Sequence, residues 1–275
     1  METVHSIGVL VVTRNHESFI GACLSSVLDE FPSCAELVIV DSGSTDSTGR
    51  QARALLDASR HASVVSLPAV PTCQTVIVGM RQLSSDYICV LSGDDFLLPG
   101  YFRWVSETLS AASGPVCLNS ALRVVSDGPR ANEVIRPKWT GIPRVDRLQL
   151  FVRNAGRGPG MVVPRVLAAD LLTGHDSSNI EDLVLWVGLV DKVRMISGKA
   201  PLVAYRVHPM SQSSLHSNQY AWSLGYGAGL NQNRAKTWME VGLAKWGCRR
   251  SRAPLTPEQK AHFDAGLLHA SSDGC

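Results

Sequence analysis

The sequence predicts a doubly wound α/β fold, a mostly parallel sheet flanked by helices. Three observations carry this. Over roughly the first 100 residues, apolar runs of strand length alternate with segments of helical periodicity. The runs Ile7–Val12 and Tyr87–Leu91 are continuously apolar, as in strands covered on both faces. Each run also ends in polar residues, where ligands bind in such sheets, beyond the carboxyl ends of the strands.

The elements follow in order. Ile7–Val12 is a strand, and the polar "TRNHES", Thr13–Ser18, is the loop after it. Ile20, Leu24, Val27, Leu28 and Phe31 recur at helical spacing, with Pro32 marking the end. "ELVIVD" is a second buried strand closing on Asp41. Asp46, in the loop "SGSTDSTG", is placed to cap a helix running to about Ser59. Val64–Leu67 is a third strand, Ile77, Met80 and Leu83 mark a third helix, and "YICVL" is a fourth strand.

The second half is less regular. "RNAGRGPGMVVPRV", Arg153–Val166, reads as loop and then strand. Ile180, Leu183, Val184, Val187 and Val190 have helical spacing, with Ser178 or Asn179 as cap and Glu181 and Asp182 in the first turn. "KAPLVAYRVHPMSQSS" is a last strand running into polar residues. Thr256-Pro257-Glu258-Gln259 is a capping box that predicts a final helix to about Ala270. The expected organisation is one domain over 1–215, in halves of about 1–105 and 106–215, then a helical C-terminal extension over 216–275.

Bulk properties narrow the function. Of 275 residues, 45% are apolar and 18% charged, so a large core is available and wholesale disorder is excluded. A net charge of +2 argues against a nucleic-acid partner. The seven cysteines form no C-x-x-C pair and read as free thiols in a reducing compartment. No run has the composition of a signal peptide or the length of a membrane span. The expectation is a cytoplasmic chain, either soluble or peripheral at the inner face of a membrane. "TRNHES" lacks G-x-G-x-x-G, and no G-x-x-x-x-G-K-[ST] occurs, which disfavours dinucleotide and P-loop chemistry.

The most informative stretch is "DYICVLSGDDFLLPGYF", Asp86–Phe102. It puts two carboxylates, Asp94 and Asp95, at the mouth of a buried strand, and the chain turns apolar again at Phe96. Two like charges resist burial unless neutralised. A divalent cation would neutralise them, since Mg²⁺ and Mn²⁺ are commonly held by one or two carboxylates plus substrate phosphates. A turn with two solvated acids is the simpler alternative.

Five ordered segments resemble glycosyltransferase family 2, of the GT-A fold. They are "GVLVVTRNHESFIGACLSSV", "LVIVDSGSTDST", "DYICVLSGDDFLLPGYF", "NIEDLVLWVGL" and "YRVHPMSQSS", and the likeness ends at about Ser214. The resemblance implies an inverting, metal-dependent transfer of a sugar from a nucleoside-diphosphate sugar to a hydroxyl of a glycan or lipid-linked acceptor. The family's range suggests surface polysaccharide synthesis. Thr13 and Asn15 would lie near the nucleoside, and Asp41 would accept a hydrogen bond from base or ribose. Asp94 and Asp95 would be the ribose and metal pair, with Asp95 first for the metal, Mn²⁺ or Mg²⁺. His208 would approach the diphosphate or metal, with Arg206 and the hydroxyls of Ser211–Ser214 nearby. Asp182 would be the base that deprotonates the acceptor, and Glu181 the alternative.

The chain departs from the family pattern at Ser42 and Ser92, where acids are usual, and at Val76-Ile77, where Arg-Asn is usual. These changes leave a catalytically degenerate binding or scaffold module as the alternative function. After Ser217, Trp222, Tyr226, Trp238 and Trp246 mix with Arg234, Lys236, Lys245, Arg249, Arg250 and Arg252. That segment reads either as helices packed on the domain or as a contact with a membrane surface.

Overall fold

The computed structural model describes residues 5–30, 36–56, 62–137, 139, 158–175 and 181–211. The expected C-terminal extension and the capping residues Ser178 and Asn179 lie outside them, as do residues 212–214.

The first half alternates as expected: β1 (Ile7–Thr13), α1 (Ile20–Glu30), β2 (Glu36–Ser42), α2 (Thr48–Leu56), β3 (Ala62–Leu67), α3 (Thr72–Gln82) and β4 (Tyr87–Ser92). There follow β5 (Phe96–Leu97), α4 (Tyr101–Ser110), β6 (Val116–Val125), β7 (Val134–Ile135) and β8 (Met161–Pro164). The described chain closes with α5 (Arg165–Leu172), α6 (Glu181–Leu189) and β9 (Arg194–Arg206).

Among the described residues these strands form one nine-stranded sheet, β3-β2-β1-β4-β8-β6-β9-β5, with β7 on β6. β1 pairs in parallel with β2 and β4, and β2 with β3. The second half is mixed: β8 runs antiparallel to β4 and β6, whereas β6 and β9 are parallel. The two halves therefore share one sheet. β5, from the first half, ends up at the far edge, antiparallel to β9.

Alternation along the central strands builds two cores. Leu10, Val38, Val40, Ile88 and Val90 face one side, against α3, α5 and α6. Val9, Val11, Leu37, Ile39, Cys89 and Leu91 face the other, against α1, α2 and α4. This is the two-sided burial that continuous apolar runs require. Cys23, Cys73, Cys89 and Cys117 are buried free thiols. Among the described residues no helix is long and apolar enough to cross a membrane.

Gly79 sets how closely α3 lies on the sheet. A Cβ there would overlap Leu10 Cδ1 and sit 3.0 Å from Val40 Cγ2. Leu10 and Val40 are fully buried and cannot yield. On an open helix Gly→Ala gains about 1 kcal/mol. Here Gly79→Ala is expected to destabilise by about 1–3 kcal/mol, the range for overpacking, read as a lower denaturation midpoint at unchanged slope.

At the amino edge of the sheet, Glu36 bridges β2 to the residues before β4. Its carboxylate accepts from the Ser84 N–H at 2.9 Å and hydroxyl at 2.7 Å, and from the Ser85 N–H at 2.9 Å and hydroxyl at 2.5 Å. Burial alone would raise its pKa, but these bonds outweigh it and hold the group at about 2. A carboxyl lowered on folding adds stability above its unfolded pKa, near 4.5, and loses it as pH falls towards 2. Glu36→Gln is therefore expected to destabilise by about 1–2 kcal/mol at pH 7, after discounting for solvent screening. Melting curves of the two proteins should converge between about pH 4.5 and 2.

Candidate active site

The strand ends that carry the expected site residues are level. Thr13 of β1 is opposite Asp41 of β2, and Val12 is opposite Ser92 of β4. The order reverses here, because β2 and β3 lie on one side of β1 and β4 on the other. This is the crevice position in a doubly wound sheet.

The loops after β1 and β2 are laced together. Asn15 adopts φ 55°, a left-handed conformation that asparagine tolerates. Its Oδ1 accepts the Thr45 N–H at 2.8 Å, and its own N–H donates to Ser44 Oγ at 2.9 Å. Asp41 Oδ1 accepts the Ser44 hydroxyl at 2.5 Å and its N–H at 3.1 Å. Its Oδ2 lies against α2, where a Cβ on Gly49 would come within 2.5 Å. Asp46 Oδ1 accepts the Thr48 N–H at 2.9 Å, the expected cap, and Oδ2 the Glu17 N–H at 3.1 Å. Burial would raise the Asp46 pKa, but these bonds lower it. Much of the bonding capacity of Asn15 and Asp41 thus goes into holding the two loops in register.

The acid pair is held from three directions. After β4, Gly93 donates to Val12 O at 2.8 Å and Asp95 to Ser92 O at 3.0 Å, making a tight turn. A Cβ on Gly93 would lie 2.5 Å from Thr13 Oγ1 and 3.1 Å from His16 Nδ1, so the loop after β1 packs directly on this glycine. Asp94 is 8% exposed and Asp95 1%, so the solvated-turn alternative does not apply. Asp94 Oδ2 is 3.1 Å from His208 Nε2. Asp95 Oδ1 accepts the Arg206 N–H at 2.9 Å, and Arg206 Nη1 donates to the Asp94 carbonyl at 2.7 Å.

These partners arrive through the β5–β9 pairing, reinforced by a bond from Leu98 N–H to Leu202 O at 2.9 Å. The Arg206 guanidinium lies over the rings of Phe19, at 5.1 Å, and Phe96, at 4.7 Å. Phe19 also packs on the His208 ring at 4.6 Å. Beyond it, Ser211 Oγ accepts the His208 N–H at 3.0 Å. Burial, and next the Asp94 charge, push the Asp95 carboxyl well above the usual range. Among the described residues, no three His, Cys, Asp or Glu side chains form a cage for an ion by themselves.

Glu181 and Asp182 open α6, as expected. A Cβ on Gly158 would lie 3.3 Å from Asp182 Oδ2, so the glycine-rich loop before β8 passes this carboxylate. The same loop hangs from β4, with Gly160 N–H on Val90 O at 2.9 Å and Tyr101 OH on Gly160 O at 2.7 Å. The Glu181 carboxyl is raised by burial and by the Asp182 charge beside it.

The sequence reading did not single out His16, Phe19, Gly93 or Gly158. His16 stands 3.9 Å from Asp94 Oδ2 through its Nε2. It looked like one polar loop residue among six. Phe19 falls between that loop and the helical stripe that begins at Ile20.

Residues 8–130 match the sequence profile of Glycosyl transferase family 2. No curated protein matches the chain. Several solved structures share its fold. S. aureus TarS 1–349 in complex with UDP-GlcNAc is 14% identical, with 96% of this chain and 80% of that one aligned at a TM-score of 0.66. The mannosyltransferase PcManGT from Pyrobaculum calidifontis, in complex with GDP-Man and Mn²⁺, is 16% identical over 99% and 77%, at 0.62. Glucosyl-3-phosphoglycerate synthase from Mycobacterium tuberculosis, in complex with Mn²⁺, UDP and glucosyl-3-phosphoglycerate, is 21% identical over 81% and 80%, at 0.57. Over residues 8–130 the chain is similar to glycosyl transferase family 2, and it has the GT-A fold of these structures.

Proposed function

We propose that the chain moves a sugar, with inversion, from a nucleoside-diphosphate sugar to a hydroxyl of a glycan or lipid-linked acceptor, in surface polysaccharide synthesis. The observation that carries the donor part is the contact of Asp94 with His208 at 3.1 Å, at the level carboxyl ends of β1, β2 and β4.

A carboxylate suits Mn²⁺ or Mg²⁺, an imidazole beside it is accepted more readily by Mn²⁺ than by the harder Mg²⁺, and two protein groups leave coordination sites for substrate phosphates. In this reading Asp94 and His208 hold the cation. Asp95, placed first for the metal by the family resemblance, in this reading accepts the Arg206 N–H and orients the turn. Arg206 likewise positions Asp94 through its carbonyl. When bound, the cation would offset the charge that develops on the departing diphosphate. Thr13, Asn15 and Asp41 line the nucleoside side.

Asp182 takes the proton from the acceptor hydroxyl. Its place in the first turn of α6 lets the helix dipole stabilise its charge. Glu181 is the weaker base candidate, because its raised carboxyl retains its proton to higher pH. The bare glycine at 158 leaves room beside the Asp182 carboxylate.

The test is a thermal-shift panel of UDP, GDP and other nucleoside diphosphates, with and without Mn²⁺. A ligand that binds only the native state raises the melting temperature by mass action. A Mn²⁺-dependent rise with one nucleotide class is expected. No rise with any of them would remove the donor-site reading and favour the scaffold alternative.

A further inference from the structure

The imidazole of His16 is held in a way that aims its far nitrogen into the donor corner. Its backbone N–H donates to Thr48 Oγ1 at 2.8 Å, and its Nδ1 is 3.2 Å from Thr13 Oγ1. The ring edge lies on Gly93, the only residue type that fits there. Nε2 then points towards Asp94 Oδ2, 3.9 Å away. That is too long for a hydrogen bond. The carboxylate nevertheless favours the tautomer with its hydrogen on Nε2, and Nδ1 then accepts from the Thr13 hydroxyl.

His208 reaches the same Asp94 oxygen from the other side, with the two rings nearly perpendicular at 86° and their centroids 6.4 Å apart. The Arg206 guanidinium of this corner already donates from Nη1 to the Asp94 carbonyl and lies over two phenyl rings. His16 therefore presents an N–H donor on the side of Asp94.

We propose that His16 is a diphosphate-binding residue, its Nε2–H donating to an oxygen of the donor's distal phosphate. This rests on the donor-site reading above. The donor compensates the charge that the diphosphate gains as the sugar leaves. A neutral imidazole suffices for this.

The test is calorimetric binding of UDP and GDP, and of UMP and GMP, to the whole chain in Mn²⁺. The wild-type protein, His16→Ala and His16→Gln are compared, with apo melting temperatures as a folding check. His16→Ala is expected to weaken the diphosphate that binds by about tenfold, and the matching monophosphate by less than threefold. His16→Gln keeps an N–H donor and should recover most of that loss. Equal losses for mono- and diphosphate, or none, would overturn the proposal while leaving the donor site standing. A wild-type protein that binds none of the four nucleotides would overturn the donor-site reading as well.

Discussion

Asp94→Ala is expected to abolish the Mn²⁺-dependent thermal shift and to lower kcat/KM for transfer by about 10³-fold, the several kcal/mol a bound cation contributes. Asp94 Oδ2 faces His208 Nε2 directly, so the substitution removes one of the two groups that converge there. Asp95→Asn is the contrasting variant. An asparagine Oδ1 can still accept the Arg206 N–H that Asp95 accepts now, so the turn survives and the loss is smaller. Initial rates with Mn²⁺ titrations decide between them. A larger loss from Asp95→Asn than from Asp94→Ala would return the metal role to Asp95.

Asp182→Asn is expected to lower kcat by about 10²–10⁴-fold, the usual contribution of a positioned general base, and to leave nucleotide binding unchanged. The amide keeps the shape of the side chain beside Gly158 but cannot take a proton. Glu181→Gln should cost less, because burial and the neighbouring charge already hold that carboxyl towards its protonated form. Turnover with saturating donor, alongside donor affinity by calorimetry, separates the two acids. The reverse order of losses would move the base to Glu181, and unchanged turnover in both would place it elsewhere.

Much of the first half was legible because its information is local. Two-sided strands need continuous apolar runs, and "GVLVV", "LVIV" and "YICVL" supply them with helical stripes between. Asp46 as a cap needed only its own loop. β6 was not legible. Its "VCLNSALRVV" has a buried Asn119-Ser120 pair at its centre, where the pairing with β9 shifts register. Two polar residues in a short run read as a break, and only the neighbouring strands show them inside a sheet. The mixed strand directions were hidden for a similar reason. Apolar runs report burial, not which neighbour a strand takes or in which direction it runs.

Local pattern and ordered motifs together determined the fold class, the family likeness and the identity of the acids at the strand ends. Only tertiary structure decided which groups each of them meets. Asp94 and Asp95 are adjacent and chemically alike, yet pairing of β5 with β9 sends one towards His208 and the other under the Arg206 amide. Phe19 and His16 come to the same place from residues almost 200 positions away from His208. Alternation in a short stretch can say that a carboxylate stands at the mouth of a strand. Which imidazole, amide or ring it meets depends on how distant strands register, and that is set by packing across the whole sheet.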